Sequence, residues 1–162
     1  MGCLSWSGSP SSPASEALRQ IKAARRAGRD GAGMDQRATA PSPTIYVVDD
    51  DAAVRRALAF ALDLEGFAVE TYESGEAVLL CSLPDTPGCL VIDERLSGVS
   101  GLETLRALRA RQVALPAILV TSHPKLALRE AAAETGTPIL DKPLLGEILI
   151  STIRQLLDQA RT

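Results

Sequence analysis

The stretch Thr44-Ile45-Tyr46-Val47-Val48-Asp49-Asp50-Asp51 passes from five residues that favour β structure straight into three carboxylates. A run this apolar, with no alternation of polar side chains, predicts a strand buried on both faces, as in a parallel sheet covered by helices. The same shape repeats downstream. Cys89-Leu90-Val91-Ile92 ends on Asp93, Ala117-Ile118-Leu119-Val120 ends on Thr121, and Pro138-Ile139-Leu140 leads into Asp141-Lys142. In an open α/β sheet the carboxyl ends of the strands share one rim, and ligands bind there. Asp49, Asp50, Asp93, the Thr121 hydroxyl and the Lys142 ammonium would then meet in one site suited to a divalent cation and a phosphoryl group.

Working outward, strands are predicted over 44–48, 67–71, 89–92, 116–120 and 137–140, and helices over 52–65, 75–81, 101–110, 125–134 and 145–159. Five βα units with right-handed crossovers predict an α/β fold: a flavodoxin-like, doubly wound, five-stranded parallel sheet in the order 2-1-3-4-5, flanked by five helices. Val69-Glu70-Thr71-Tyr72 is mixed in polarity and reads as one edge; Pro138, which lacks an N–H, marks the other. The first helix offers Val54, Leu58, Ala61 and Leu62 to the sheet, and the last offers Ile148, Ile150, Ile153, Leu156 and Leu157. Asp51 reads as the N-cap of the first helix. Glu94 and Arg95 read as solvated, and His123, the single histidine, as a rim residue that shapes access.

The chain has 162 residues and is 46% hydrophobic, enough for one core and too little for a second ordinary domain. Residues 44–162 carry eleven basic and seventeen acidic side chains, a net of −6, and few aromatics, which argues against direct nucleic-acid binding. Three cysteines without metal-ligand spacing point to a reducing cytoplasm, with Cys89 as a small core hydrophobe. No apolar stretch is long enough to span a bilayer, no signal peptide opens the chain, and Trp6 stands where N-myristoylation needs Ser or Thr. Residues 1–43 are expected to be a disordered extension with a marginal basic helix over 15–29, and residues 44–159 the domain. Met34 lies just ahead of the first strand, so translation is expected to begin there. An intact mass that includes Met1 to Gly33 would refute this.

Magnesium takes oxygen ligands in tight octahedral geometry and is usually held by one or two carboxylates plus phosphate oxygens. Asp50 and Asp93 suit it, with Asp49 acting directly or through water. Asp93 is the expected nucleophile for phosphoryl transfer, Lys142 the cation for the phosphoryl oxygens, and Thr121 the hydroxyl that turns toward the new charge.

Val47-Val48-Asp49-Asp50-Asp51, Asp93 with Gly98 and Gly101-Leu102-Glu103, Thr121-Ser122 and Asp141-Lys142-Pro143 together resemble the receiver domain of two-component response regulators, of the CheY-like and FixJ-type kind. The resemblance covers about residues 44–159. It implies metal-binding acids at Asp49 and Asp50 with Asp93, a phospho-accepting Asp93, a switch hydroxyl at Thr121, a phosphate-pairing Lys142 and a cis Lys142-Pro143 bond. It further implies a Mg2+ cofactor and a phosphoryl donor that is a sensor histidine kinase or histidine phosphotransfer protein, met through first-helix residues such as Ala53, Arg56 and Ala57. Arg95, two past the nucleophile, would influence phosphoryl hydrolysis. Two positions depart from the pattern: Leu96-Ser97 replaces Met-Pro, and Ile139 replaces the aromatic whose rotamer reports on Thr121. Little chain follows the last helix, so a single-domain regulator is expected that acts by protein–protein contact, without DNA or membrane, and is a switch, not an enzyme. A phosphorylation-independent interaction module is the alternative, motivated by Ile139 and Leu96-Ser97. A small magnesium phosphohydrolase of haloacid dehalogenase-like type, with Asp49-x-Asp51 as its signature, is a third reading, weakened by the lack of a cap domain.

Overall fold

The computed structural model describes residues 42–83, 86–144 and 146–161. The expectations for the extension fall on residues 1–41 and lie outside the described residues, as does Leu145 at the start of the last helix. Among the described residues five strands alternate with five helices: β1 (Thr44–Val48), α1 (Ala52–Leu64), β2 (Ala68–Tyr72), α2 (Gly75–Leu80), β3 (Gly88–Asp93), α3 (Gly101–Ala110), β4 (Ala117–Thr121), α4 (Leu126–Glu134), β5 (Ile139–Asp141) and α5 (Gly146–Gln159). All strand pairs are parallel, and their order is β2-β1-β3-β4-β5, as the crossover rule predicts.

Each buried strand divides its side chains between two cores. Ile45 and Val47 of β1, Cys89 and Val91 of β3, and Ile118 and Val120 of β4 pack on one face with Leu62, Leu149 and Ile153 of α1 and α5. Their alternates Tyr46, Val48, Leu90, Ile92 and Leu119 pack on the other face with Val78, Leu105, Leu108 and Ala132 of α2, α3 and α4. The period of two along a strand makes this division, and each large aliphatic fully removed from water contributes about 1.5–3 kcal/mol.

The departures from expectation are local. Phe67 is not yet in β2, because its N–H donates to Leu62 O and closes the end of α1 around Gly66, whose φ is +89°. β5 begins at Ile139 because the Thr137 N–H is taken by Ala132 O and Pro138 offers only its carbonyl, which accepts from Leu119 at 3.0 Å. Ile148 does not face the sheet; it is 51% exposed, while Leu149 and Ile153 are buried. Residues 148 and 150 stand about 200° apart on a helix, so the two could not share one face. The edges match expectation: β2 leaves Ala68, Glu70 and Thr71 exposed, and β5 is three residues long.

Candidate functional site

The sheet fixes the backbone of Asp49, Asp93, Thr121 and Lys142 on the rim. The Asp49 N–H donates to Tyr72 O at 3.2 Å, the Glu94 N–H to Val120 O at 2.8 Å and the Lys142 N–H to Thr121 O at 2.9 Å, so the ladder runs past the strand ends into the site. Behind Asp49-Asp50, Asp51 caps α1: its carboxylate accepts the N–H groups of Ala53 at 2.8 Å and Val54 at 3.3 Å, and these bonds hold its pKa low.

Asp49 and Asp93 are buried, 3% and 7% exposed, whereas Asp50 is exposed. Asp49 Oδ1 accepts the Asp51 N–H at 2.8 Å, and its main-chain oxygen accepts from Arg55 Nη1 at 2.6 Å. Asp93 Oδ1 accepts the Arg95 N–H at 3.1 Å, and Asp50 Oδ2 accepts the Ser97 N–H at 3.1 Å. Lys142 Nζ bridges the two buried acids, 2.9 Å from Asp93 Oδ2 and 3.4 Å from Asp49 Oδ2. One carboxylate oxygen from each of Asp49, Asp50 and Asp93 lies within 4.8 Å of the other two. Thr121, buried at the end of β4, pairs in register with Asp141, and its carbonyl holds the Lys142 N–H. The Lys142-Pro143 peptide is cis, as expected.

Three acids face one cation. Burial pushes the Asp49 carboxyl above its usual range; the Asp93 charge adds to this, and the Asp51 N–H and Lys142 only partly offset it. Burial works against the Lys142 ammonium, but the bond to Asp93 and the charges of Asp93 and Asp49 outweigh it and raise its pKa. The donor set is all carboxylate oxygen, with no thiol or imidazole, and one of its members is open to solvent. Such a set fits a hard divalent cation that keeps part of its water, so the residues present fit magnesium.

The expectation for Glu94 needs correction. Its side chain is half-buried, not solvated: it accepts the Leu102 N–H at 2.8 Å at the start of α3, and burial raises its pKa. Arg95 is exposed as expected, and His123 is exposed in the loop after β4. Sequence reading also missed the hold on the loop between β3 and α3, where Glu76 of α2 accepts the Val99 N–H at 3.0 Å and Asp50 accepts that of Ser97. These partners lie 23 and 47 residues apart, beyond the reach of any local pattern. The one readable signal was Ser100-x-x-Glu103, a capping box in which Ser100 Oγ accepts the Glu103 N–H and Glu103 accepts the Ser100 N–H.

Comparison with known proteins agrees with this geometry. The family described as response regulator receiver domain matches residues 45–154. The transcriptional regulatory protein FixJ of Azorhizobium caulinodans is 38% identical over 117 residues, covering 72% of this chain and 56% of that protein. The C4-dicarboxylate transport transcriptional regulatory protein DctD of Pseudomonas aeruginosa is 34% identical over 118 residues, 72% of this chain and 26% of that one. The chain thus spans about half the length of the FixJ relatives it matches and less of DctD. Among solved structures, FixJ-N is 34% identical with a TM-score of 0.65, covering 73% of this chain and 95% of that one. The chemotaxis protein CheY4 of Vibrio cholerae, 22% identical with a TM-score of 0.66 over 72% of this chain and 99% of that one, shares the fold. With residues 45–154 matched to the family and the three acids of two strand ends gathered beside Lys142, the chain belongs to the receiver domains of two-component response regulators.

Proposed function

We propose that this receiver accepts a phosphoryl group on Asp93 from a phosphohistidine of a histidine kinase or histidine phosphotransfer protein. The observation that carries the reading is Lys142 Nζ at 2.9 Å from Asp93 Oδ2, with Asp49 and Asp50 clustered beside it. In the transfer, an Asp93 carboxylate oxygen forms a bond to phosphorus as the P–N bond of the phosphohistidine breaks, and the imidazole nitrogen keeps that electron pair. Asp49, Asp50 and Asp93 would hold Mg2+, which when bound offsets negative charge on the transferring group. Lys142, already paired with Asp93, supplies the second positive charge. The product gains about −1.5 to −2 charge at neutral pH, and Thr121, at the end of the neighbouring strand, offers a hydroxyl to it. Hydrolysis of the acyl phosphate resets the site, so the chain is a switch without a released substrate of its own. Output through contact with another protein suits the acidic body of residues 44–162, and the free thiols of Cys81 and Cys89 suit a cytoplasmic setting. Among the described residues, no helix is long and apolar enough to cross a membrane.

Acetyl phosphate with magnesium tests the reading. The chain should gain the mass of one phosphoryl group, and Asp93→Asn or removal of magnesium should abolish the gain. An unmodified native chain would leave the phosphorylation-independent module; sustained turnover of generic phosphate esters would favour the phosphohydrolase.

A further inference from the structure

Asp50 differs from its two companions. Asp49 and Asp93 are walled in by the sheet and tied to Lys142, whereas Asp50 is exposed, and the contact that orients its carboxylate is the Ser97 N–H at 3.1 Å on Oδ2. An exposed carboxylate on a flexible side chain must give up rotamer freedom each time it ligates, unless something already holds it. A hold is useful only if its other end is fixed, and here it is.

The loop that carries Ser97 is pinned along its length by acids. The Arg95 N–H ends on Asp93, the Val99 N–H on Glu76 of α2, the Ser100 N–H on Glu103 and the Leu102 N–H on Glu94. Gly98 turns the chain at φ +104°, and a Cβ there would stand 2.4 Å from Glu76 Oε1. At the far end, a Cβ on Gly101 would meet the Asp93 carbonyl at 2.5 Å, so the loop is pressed against the strand that bears the acceptor. The Ser97 N–H is therefore a fixed donor aimed at an exposed acid. Any residue with an N–H could supply it; proline could not.

We propose that Ser97, through its backbone N–H and not its hydroxyl, is a positioning residue that holds the exposed Asp50 carboxylate in the acid cluster and so strengthens divalent-cation binding there. This rests on the reading of Asp49, Asp50 and Asp93 as a magnesium site. The hold leaves Asp50 Oδ1 free while Oδ2 is engaged, so orientation and ligation do not compete for the same oxygen.

The test is titration of the full chain with Mg2+, and with Mn2+ as a second probe, by calorimetry, with thermal unfolding to confirm that each variant is folded. Ser97→Ala, which keeps the N–H, should bind as the native chain does. Ser97→Pro, which removes it, should bind about two- to tenfold more weakly, the range expected for one ordinary hydrogen bond lost at a solvent-exposed acceptor. Glu76→Ala, which frees Val99 and lets the loop drift, should weaken binding in the same direction by less. In amide spectra the Ser97 proton should move upfield in Asp50→Ala, which removes its acceptor. Equal affinity of Ser97→Pro and the native chain, or an equal loss in Ser97→Ala, overturns the proposal while the metal site stands. A native chain that does not bind either cation, or an Asp50→Ala variant that binds as well as native, overturns the metal site itself and the proposal with it.

Discussion

Replacing Asp49 with asparagine should make the cation-free protein more stable. Asp49, Asp50 and Asp93 each present an oxygen within 4.8 Å of the others, and at that separation a carboxylate pair repels by about 0.9 kcal/mol in a water-like medium and about 3.5 kcal/mol at an effective dielectric of 20. Against this, Lys142 at 3.4 Å attracts Asp49 by about 1.2 to 5 kcal/mol on the same scale. Asp49 faces two such neighbours, about 1.7 to 7 kcal/mol together, so Lys142 offsets most but not all of the repulsion; to the remainder is added the cost of keeping a charge at a position only 3% exposed, the main reason the folded-state pKa is raised. Asparagine keeps the oxygen that accepts the Asp51 N–H and removes the charge. A gain of about 1 kcal/mol follows, or about 3–5 °C in Tm for a domain of this size. Thermal unfolding in chelator, native against Asp49→Asn, measures it. Because the native state holds the Asp49 proton to higher pH than the unfolded chain does, the native protein's penalty is absent below the ordinary aspartate pKa and complete above the raised one. The advantage of the variant should therefore shrink as the pH falls through that window. In excess magnesium the order should reverse, since ligand binding stabilises only the chain that binds it well. A variant that melts below native in chelator at neutral pH would refute the reasoning.

Lys142→Met should destabilise the cation-free protein by about 1–2 kcal/mol, because it strands two buried carboxylates whose shared partner it was; denaturant unfolding checks this. The Lys142 pKa is raised in the fold, so its contribution is complete below the ordinary lysine value and disappears as the pH climbs through the higher folded one, where native and variant should converge. Gly101→Ala should cost about 1–3 kcal/mol and disturb the Asp93 amide signals, since its Cβ would sit 2.5 Å from the Asp93 carbonyl oxygen; an unchanged melting point would show that the contact relaxes freely. Ser100→Ala should cost about 1 kcal/mol by opening the capping box of α3, read by chemical denaturation. Arg154→Ala should change stability by less than about 1 kcal/mol, because its 2.8 Å pair with Glu65 is exposed at both ends.

Which residues the strand ends bring together was legible because their positions are set by periodicity. Asp49, Asp93 and Thr121 each follow or end an apolar run, and a parallel sheet brings such ends together whatever the intervening loops do. The topology was legible for the same reason: continuous apolar β1, β3 and β4 must be central, and mixed β2 and Pro138-led β5 must be edges. Glu94 was misread because it follows the site acid and looks like a surface residue, and only the fold shows that its carboxylate turns back to the first turn of α3. Ile148 was misread by grouping apolar residues without their angular positions. Partners such as Asp50 with Ser97 and Glu76 with Val99 are chosen by tertiary packing, and spacing carries no trace of them.

The two flanks of the sheet bear on how the protein behaves when crowded. β5 offers three residues and begins beside a proline, while β2 places the charge of Glu70 on its rim, so neither side is a welcoming template for a strand from another molecule. Along these two edges the sheet does not invite fibrillar self-association when its copies are many, and pairing between copies of the described domain falls to helices and side chains, where it can be undone.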